Sequence, residues 1–138
     1  MKNHYVLDAW ALSALLQGEE PAATRVKELF EEAIAGDTEL FISTINLGEV
    51  TYRLGKVKGE QEALETLRQI RRLPLSVLPA SEEAVFAAVG FKMHHSLSYA
   101  DAFAAAAAEA LDAILVTGDP ELLQLEGRIW LERLERAA

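Results

Sequence analysis

Apolar residues follow two rhythms along this chain. Short, nearly continuous apolar runs alternate with longer stretches in which apolar positions recur every three or four residues. The runs at 4–7, 40–43, 75–78 and 113–116 read as strands, and 128–131 as a fifth that closes the sheet. Helical spacing fills the intervals. A helix over 9–17 is closed by Gly18, and a second begins with Pro21 in its first turn and ends at Gly36. The segment 45–54 is helical, capped by Ser43 or Thr44 and stopped by Gly55. Gly59 opens a helix through Arg72 with Leu64, Leu67 and Ile70 at three-residue spacing, and Ser81 starts one that carries Val85, Phe86, Val89 and Met93. Ser98 starts an alanine-rich helix, and Pro120 a short one. Strands that are apolar throughout, without alternation, and separated by helices predict an α/β fold, a central parallel β-sheet with helices on both faces. No repeat or linker interrupts it, so residues 1–138 are expected to form one domain.

Composition narrows the chemistry. Without cysteine there is no disulfide, zinc–thiolate site or thiol nucleophile. The segment MKNHYVLDAW lacks the apolar core of a signal peptide, and the alanine-rich run at 100–113 is broken by Asp101, Glu109 and Asp112. A soluble, cytoplasmic protein with no membrane partner is the expectation. The net charge of −9 opposes loose adhesion to nucleic acid. Basic residues are unevenly spread, however: Arg53, Lys56, Lys58, Arg68, Arg71 and Arg72 face only Glu60, Glu62 and Glu65 in their segment. That strip suits an RNA backbone or an acidic partner, or is simply a solvated helical face.

Four acids stand where strands hand over to helices or at a helix start: Asp8 in YVLDAW, Glu49 in STINLGEV, Asp101 in SLSYADAFAAA and Asp119 in LVTGDPEL. Each has a local reading. Asp8 and Asp119 suit helix N-caps, Asp101 completes a capping box with Ser98, and Glu49 fits an ordinary helix surface. Taken together they converge on the carboxyl edge of one parallel sheet, where open α/β folds place their sites. Clustered carboxylates are costly to keep ionised without a divalent cation among them, and helix N-termini favour the ionised form. Metal-dependent cleavage of phosphodiesters is the chemistry this set suggests. His94 and His95 are adjacent, cannot share a helix face, and are assigned to a surface or interface. Trp10, Phe86, Phe91, Tyr99 and Phe103 follow helical burial and are assigned to core or interface.

The segments VLDAWALSALLQGE, ISTINLGEVTYRL, LSYADAFAAAAA and ILVTGDPEL, in this order and spacing, resemble the motifs of PIN-domain ribonucleases, more narrowly the VapC-type toxins of prokaryotic toxin–antitoxin pairs. The likeness runs from about residue 4 to 131. It places the family's acids on Asp8, Glu49, Asp101 and Asp119, with Thr117 at the hydroxyl position often found two residues before the last. One departure stands out: Trp10 occupies a position, two after the first aspartate, where a small polar residue is frequent.

The resemblance implies a metal-dependent endoribonuclease using Mg²⁺ or Mn²⁺, which oxygen-only ligands suit. Asp8 is the expected direct ligand, with Asp101 and Asp119 sharing direct or water-bridged contacts. Glu49 orients the attacking water or binds a second ion, and Thr117 donates a hydrogen bond to water or phosphate. It also implies an RNA substrate, a homodimer, and a cognate antitoxin that places a basic side chain in the acidic pocket. Other phosphoryl chemistries fit poorly: there is no GxxxxGK[ST], and Asp8 is followed by Ala9 and Trp10 and not by the Asp-x-Asp pair of haloacid phosphatases or Toprim nucleases. Two alternatives remain, a housekeeping RNA-processing PIN nuclease and a non-catalytic PIN-like binding module.

Overall fold

The computed structural model describes residues 3–137. In chain order the elements are β1 (Asn3–Leu7), α1 (Ala9–Gln17), α2 (Ala22–Ile34), β2 (Thr38–Ser43), α3 (Thr44–Lys58), α4 (Glu60–Ile70), β3 (Ser76–Leu78), α5 (Glu82–His94), α6 (Tyr99–Leu111), β4 (Ile114–Thr117), α7 (Pro120–Leu123) and β5 (Leu131–Arg133). All strand pairs are parallel, in the order β3-β2-β1-β4-β5. The chain therefore winds outward in one direction through β2 and in the other through β4. That reversal leaves a crevice at the carboxyl ends of β1 and β4.

Both faces of the sheet are covered, as continuous apolar strands require. On one face Val6 and Leu115 pack beneath α5 and α6, against Ala88, Phe91, Phe103 and the alanines of α6. On the other, Tyr5, Leu7 and Val116 meet α1 and α2 through Ala11, Val26, Leu29 and Phe30. Ile42, Leu47, Val50 and Ile70 join α3 and α4 to the edge of the second layer. The alanine stripe of α6 lets that helix lie close over β1 and β4, which brings its N-terminus to the crevice.

Several expectations about element limits change. Helix α3 runs through Gly55 to Lys58 instead of stopping there. Gly55 packs where a Cβ would stand 3.6 Å from that of Ala63, a small-residue contact between α3 and α4, and the chain turns only at Gly59, whose φ is 96°. The last strand is Leu131–Arg133 and not 128–131, because the chain turns at Gly127 and Arg128 leaves to pair with Glu109. Strand β2 begins two residues earlier than its apolar run, and β3 and β4 each begin one residue later. The apolar face assigned to α5 is rotated: Ala88 and Phe91 are buried, while Phe86 and Met93 are 64% and 71% exposed. Phe103 is core, whereas Tyr99 stands exposed. The strip of Arg53, Lys56, Lys58, Arg68, Arg71 and Arg72 is solvated, and Arg53 and Arg68 are engaged by Glu49 and Glu65. Among the described residues no helix is long and apolar enough to cross a membrane.

Candidate metal centre

The crevice is built from caps. Asp8 leaves β1 in extended conformation and caps α1, its Oδ1 accepting from the Ala11 N–H at 2.8 Å. Its Oδ2 accepts a hydrogen bond from the Thr117 hydroxyl at the end of β4. Thr117 in turn accepts from the Asp119 N–H at 2.9 Å, and Asp119 caps α7 by accepting from the Glu121 N–H at 2.9 Å. One chain of bonds thus fixes the ends of β1 and β4 and the start of α7 relative to each other. The capping readings of Asp8 and Asp119 are correct, and they are what aims both acids into the crevice.

Asp101 arrives from the α6 side. The Ser98 hydroxyl caps α6 by accepting from the Asp101 N–H at 3.1 Å. The reciprocal half of a capping box, from the Ser98 N–H to the Asp101 carboxylate, is not formed among the described residues. The carboxylate instead meets Asp119 and Glu121: one oxygen from each of the three lies within 4.8 Å of the others. Glu49 enters from α3, where its side chain is only 12% exposed. Its Oε2 accepts from Arg53 at 2.7 Å, while its buried Oε1 has no partner. Asn46, also buried on α3, donates to the Ala100 carbonyl at 3.0 Å and so ties α3 to the first turn of α6.

Ala9, Trp10, Glu49, Arg53, Ser98, Asp101, Asp119 and Glu121 line a single cavity of about 160 Å³. Asp8 and Thr117 lie beneath it, closed from solvent. The structure thus brings Glu49, Asp101 and Asp119 to one cavity and sets Asp8 and Thr117 under its floor. Sequence reasoning missed Glu121, although the segment Asp119-Pro-Glu121 puts two acids in one helical turn. It also missed Arg53, an i,i+4 partner of Glu49.

Burial and crowding raise the pKa of two members. Asp8 is pushed up from 3.8 to about 7, first by burial and then by the charges of Asp101 and Asp119, against the opposing hydrogen bonds from Thr117 and Ala11. Asp101 also rises to about 7, through burial and then repulsion from Asp119, Glu49 and Glu121, eased by the Ser98 hydroxyl. A pocket that resists its own negative charge favours a cation. Arg53 supplies one positive charge, bound to Glu49 only. The donors are all oxygen, and Glu49, which lines the same cavity, keeps one buried oxygen without a partner, which is the set a hard divalent cation takes.

Trp10 is half-buried at the cavity rim and leans on Gly118. A Cβ at position 118 would come within 2.5 Å of its ring, so glycine there is what admits the tryptophan. The Arg136 guanidinium carbon lies over the same ring, 5.2 Å from its centroid.

The family model described as PIN domain matches residues 5–127. No curated protein matches the chain by sequence. Among solved structures, VapBC2 from Rickettsia felis, bound to a DNA fragment from its promoter, aligns with a TM-score of 0.71 at 18% identity, over 96% of this chain and 99% of that one. A toxin–antitoxin complex from Klebsiella pneumoniae gives 0.70 at 19% identity, over 96% and 99%. Mycobacterium tuberculosis VapC20, a toxin that cleaves the sarcin-ricin loop, gives 0.69 at 17% identity, over 87% and 93%.

Proposed function

The chain belongs to the PIN domain family, and from that membership and its carboxylate cavity we propose that it is a metal-dependent endoribonuclease, the VapC-type toxin of a toxin–antitoxin pair. The observation that carries this reading is the meeting of Asp101, Asp119 and Glu121 within 4.8 Å, with Glu49 beside them and Asp8 beneath. So many carboxylates around about 160 Å³ have no structural use that a pair of ordinary caps would not serve.

Asp101, Asp119 and Glu121 are the residues that would hold Mg²⁺ or Mn²⁺. Asp8 adds its charge from below, and each of its oxygens accepts one bond in the structure, which leaves further lone pairs on both. When bound, the ion polarises the scissile phosphate, lowers the pKa of a coordinated water and offsets charge on the leaving oxygen. Thr117 holds Asp8 in place and keeps part of its proton affinity in check. Glu49, with one free buried oxygen, is positioned to accept a proton from the attacking water. Arg53, bound to the other oxygen of Glu49, fixes that carboxylate's orientation and lies at the cavity wall, where a phosphate oxygen would find it.

Partners follow from the same reading. An antitoxin would close the cavity by inserting a basic side chain among the acids, and the exposed Phe86 and Met93 on α5, with Leu64 on α4, provide apolar surface for a homodimer. Light scattering that returned a mass near 15.1 kDa at micromolar concentration would remove the dimer. Cleavage of a structured RNA by the purified chain in Mn²⁺ or Mg²⁺, abolished by EDTA and by Asp8→Asn, is the deciding assay. Cleavage undiminished in chelator would refute the metal chemistry. Metal binding without any cleavage would favour a non-catalytic module instead.

A further inference from the structure

We propose that a second recess, beside the carboxylate cavity, binds the sugar–phosphate backbone of single-stranded RNA through Arg133 and Arg136. This rests on the nuclease reading above and adds to it the path of the substrate strand.

The recess measures about 520 Å³, a size that takes a drug-sized ligand, and Gly118, Pro120, Gln124, Arg133, Leu134 and Arg136 contribute its walls. Gly118 and Pro120 flank Asp119, which lines the carboxylate cavity, so the two depressions meet across one residue. The sheet register explains why arginines stand there. Arg133 is the partner of Thr117 in the β4–β5 pair, and the Leu134 N–H donates to the Thr117 carbonyl at 2.8 Å. The tail beyond β5 therefore leaves the sheet at the same carboxyl edge as the acids.

Both side chains are available to an anion. Arg133 is exposed and has no carboxylate partner among the described residues. Arg136 spends Nε and Nη2 on the Gly118 carbonyl, at 3.3 and 3.2 Å, which leaves Nη1 uncommitted. Its plane is held against Trp10, and that same ring lines the carboxylate cavity. The other arginines near acids are taken: Arg25 by Glu132, Arg53 by Glu49, Arg68 by Glu65 and Arg128 by Glu109. In a chain of net charge −9, two unpaired guanidinium groups beside the acidic site are the exception that needs an occupant. A guanidinium matches phosphate oxygens with its fork of donors.

Glu135 also lines the recess, and with the adjoining acids it disfavours a peptide dense in carboxylates. A polynucleotide has a reason to enter regardless. A phosphodiester placed at Asp101 and Asp119 carries neighbouring phosphates along the strand, and the recess that opens across Asp119 is where they fall.

The test uses the full chain and a fluorescein-labelled single-stranded RNA, with Ca²⁺ as the cation, and measures binding by anisotropy across a salt series. Arg133→Gln should weaken binding several-fold for every RNA sequence tried and make the slope of log affinity against log salt shallower by about 0.7. Arg136→Gln should do the same. Because Arg136 also braces Trp10, Arg136→Lys is included, and it should keep the slope while losing part of the affinity. Arg71→Gln with Arg72→Gln, on the turn that precedes β3 at the opposite edge of the sheet, is the control and should change neither. Unchanged affinity and slope in Arg133→Gln would overturn the proposal even if RNA is still cleaved in Mn²⁺, which leaves the nuclease reading standing. No RNA binding at all would overturn it, with the cleavage assay judging the nuclease reading separately. Loss of binding to a labelled poly-glutamate peptide, with RNA binding intact, would reassign the recess to a protein partner.

Discussion

Asp101→Asn separates a residue that only starts a helix from one held in a crowded anionic site. The carboxyl of Asp101 sits at about 7 instead of 3.8, in a residue 7% exposed. Three units of elevation correspond to about 4 kcal/mol of unfavourable free energy for the ionised form at pH 8. The sign is that of a raised group: its contribution to stability is complete below pH 3.8 and is lost as the pH climbs through about 7. Asparagine removes both the desolvated charge and the repulsion from Asp119, Glu49 and Glu121, and must still bury an amide, so a net gain of about 2 kcal/mol is expected. For a chain of this length that is roughly 6 °C in melting temperature. Because the amide cost does not change with pH, the variant should melt below wild type at pH 4, cross it between about pH 5 and 6, and level off above it by pH 8. Thermal melts in EDTA at these values, followed by circular dichroism, give the apo comparison. Repeating them in Mn²⁺ should invert the order, because wild type gains about 2.7 kcal/mol at a hundredfold excess over its dissociation constant and the variant forfeits most of it. An Asn variant that melts lower than wild type at every pH, and responds to Mn²⁺ as wild type does, would refute the reasoning and leave Asp101 a helix-starting residue only.

Thr117→Val removes the donor to a carboxylate with no access to water, and should cost about 1–3 kcal/mol in chemical denaturation. Because that hydrogen bond lowers the Asp8 pKa, its loss should also move the pH at which Mn²⁺ begins to stabilise the protein upward. Gly118→Ala should cost about 1–3 kcal/mol by driving a methyl into the Trp10 ring, with a change in tryptophan fluorescence; Gly118→Ala combined with Trp10→Ser should recover most of it. Glu121→Gln should leave the apo fold intact while reducing Mn²⁺-induced stabilisation, measured by scanning fluorimetry, and an unchanged response would remove Glu121 from the cluster.

Much of the fold was legible because its strands are apolar throughout and its helices are punctuated by glycine and proline. The limits that shifted did so for tertiary reasons. Gly55 breaks a helix in isolation, but here it lies inside α3 at the contact with Ala63 of α4, and the packing of the two helices carries α3 past it. The segment after Gly127 looked like a strand from its apolar content, yet pairing is fixed by the register between Leu115 and Leu131. At the site, Asp8, Asp101 and Asp119 could be found because each follows a strand or opens a helix, whereas Glu49, in the second turn of α3, was found through the family resemblance. Glu121 could not be distinguished from an ordinary acid in a first turn, since only the approach of α6 to α7 places it beside Asp101. The pairing of Arg53 with Glu49, and the stacking of Arg136 on Trp10 across 126 positions of chain, depend on side-chain geometry that no local spacing encodes.

The bond between Asp8 and Thr117 joins positions 109 residues apart. At a ribosomal pace of roughly 5–20 residues per second, the first acid therefore waits on the order of ten seconds for its partner to be made. Until β4 exists the central strand lacks one neighbour, and long-range parallel pairing is slow to form in any case. A nascent chain consequently carries an incomplete ligand set for nearly the whole of its synthesis. The acidic cavity is therefore completed late and all at once, when all but the last strand of the sheet has been made.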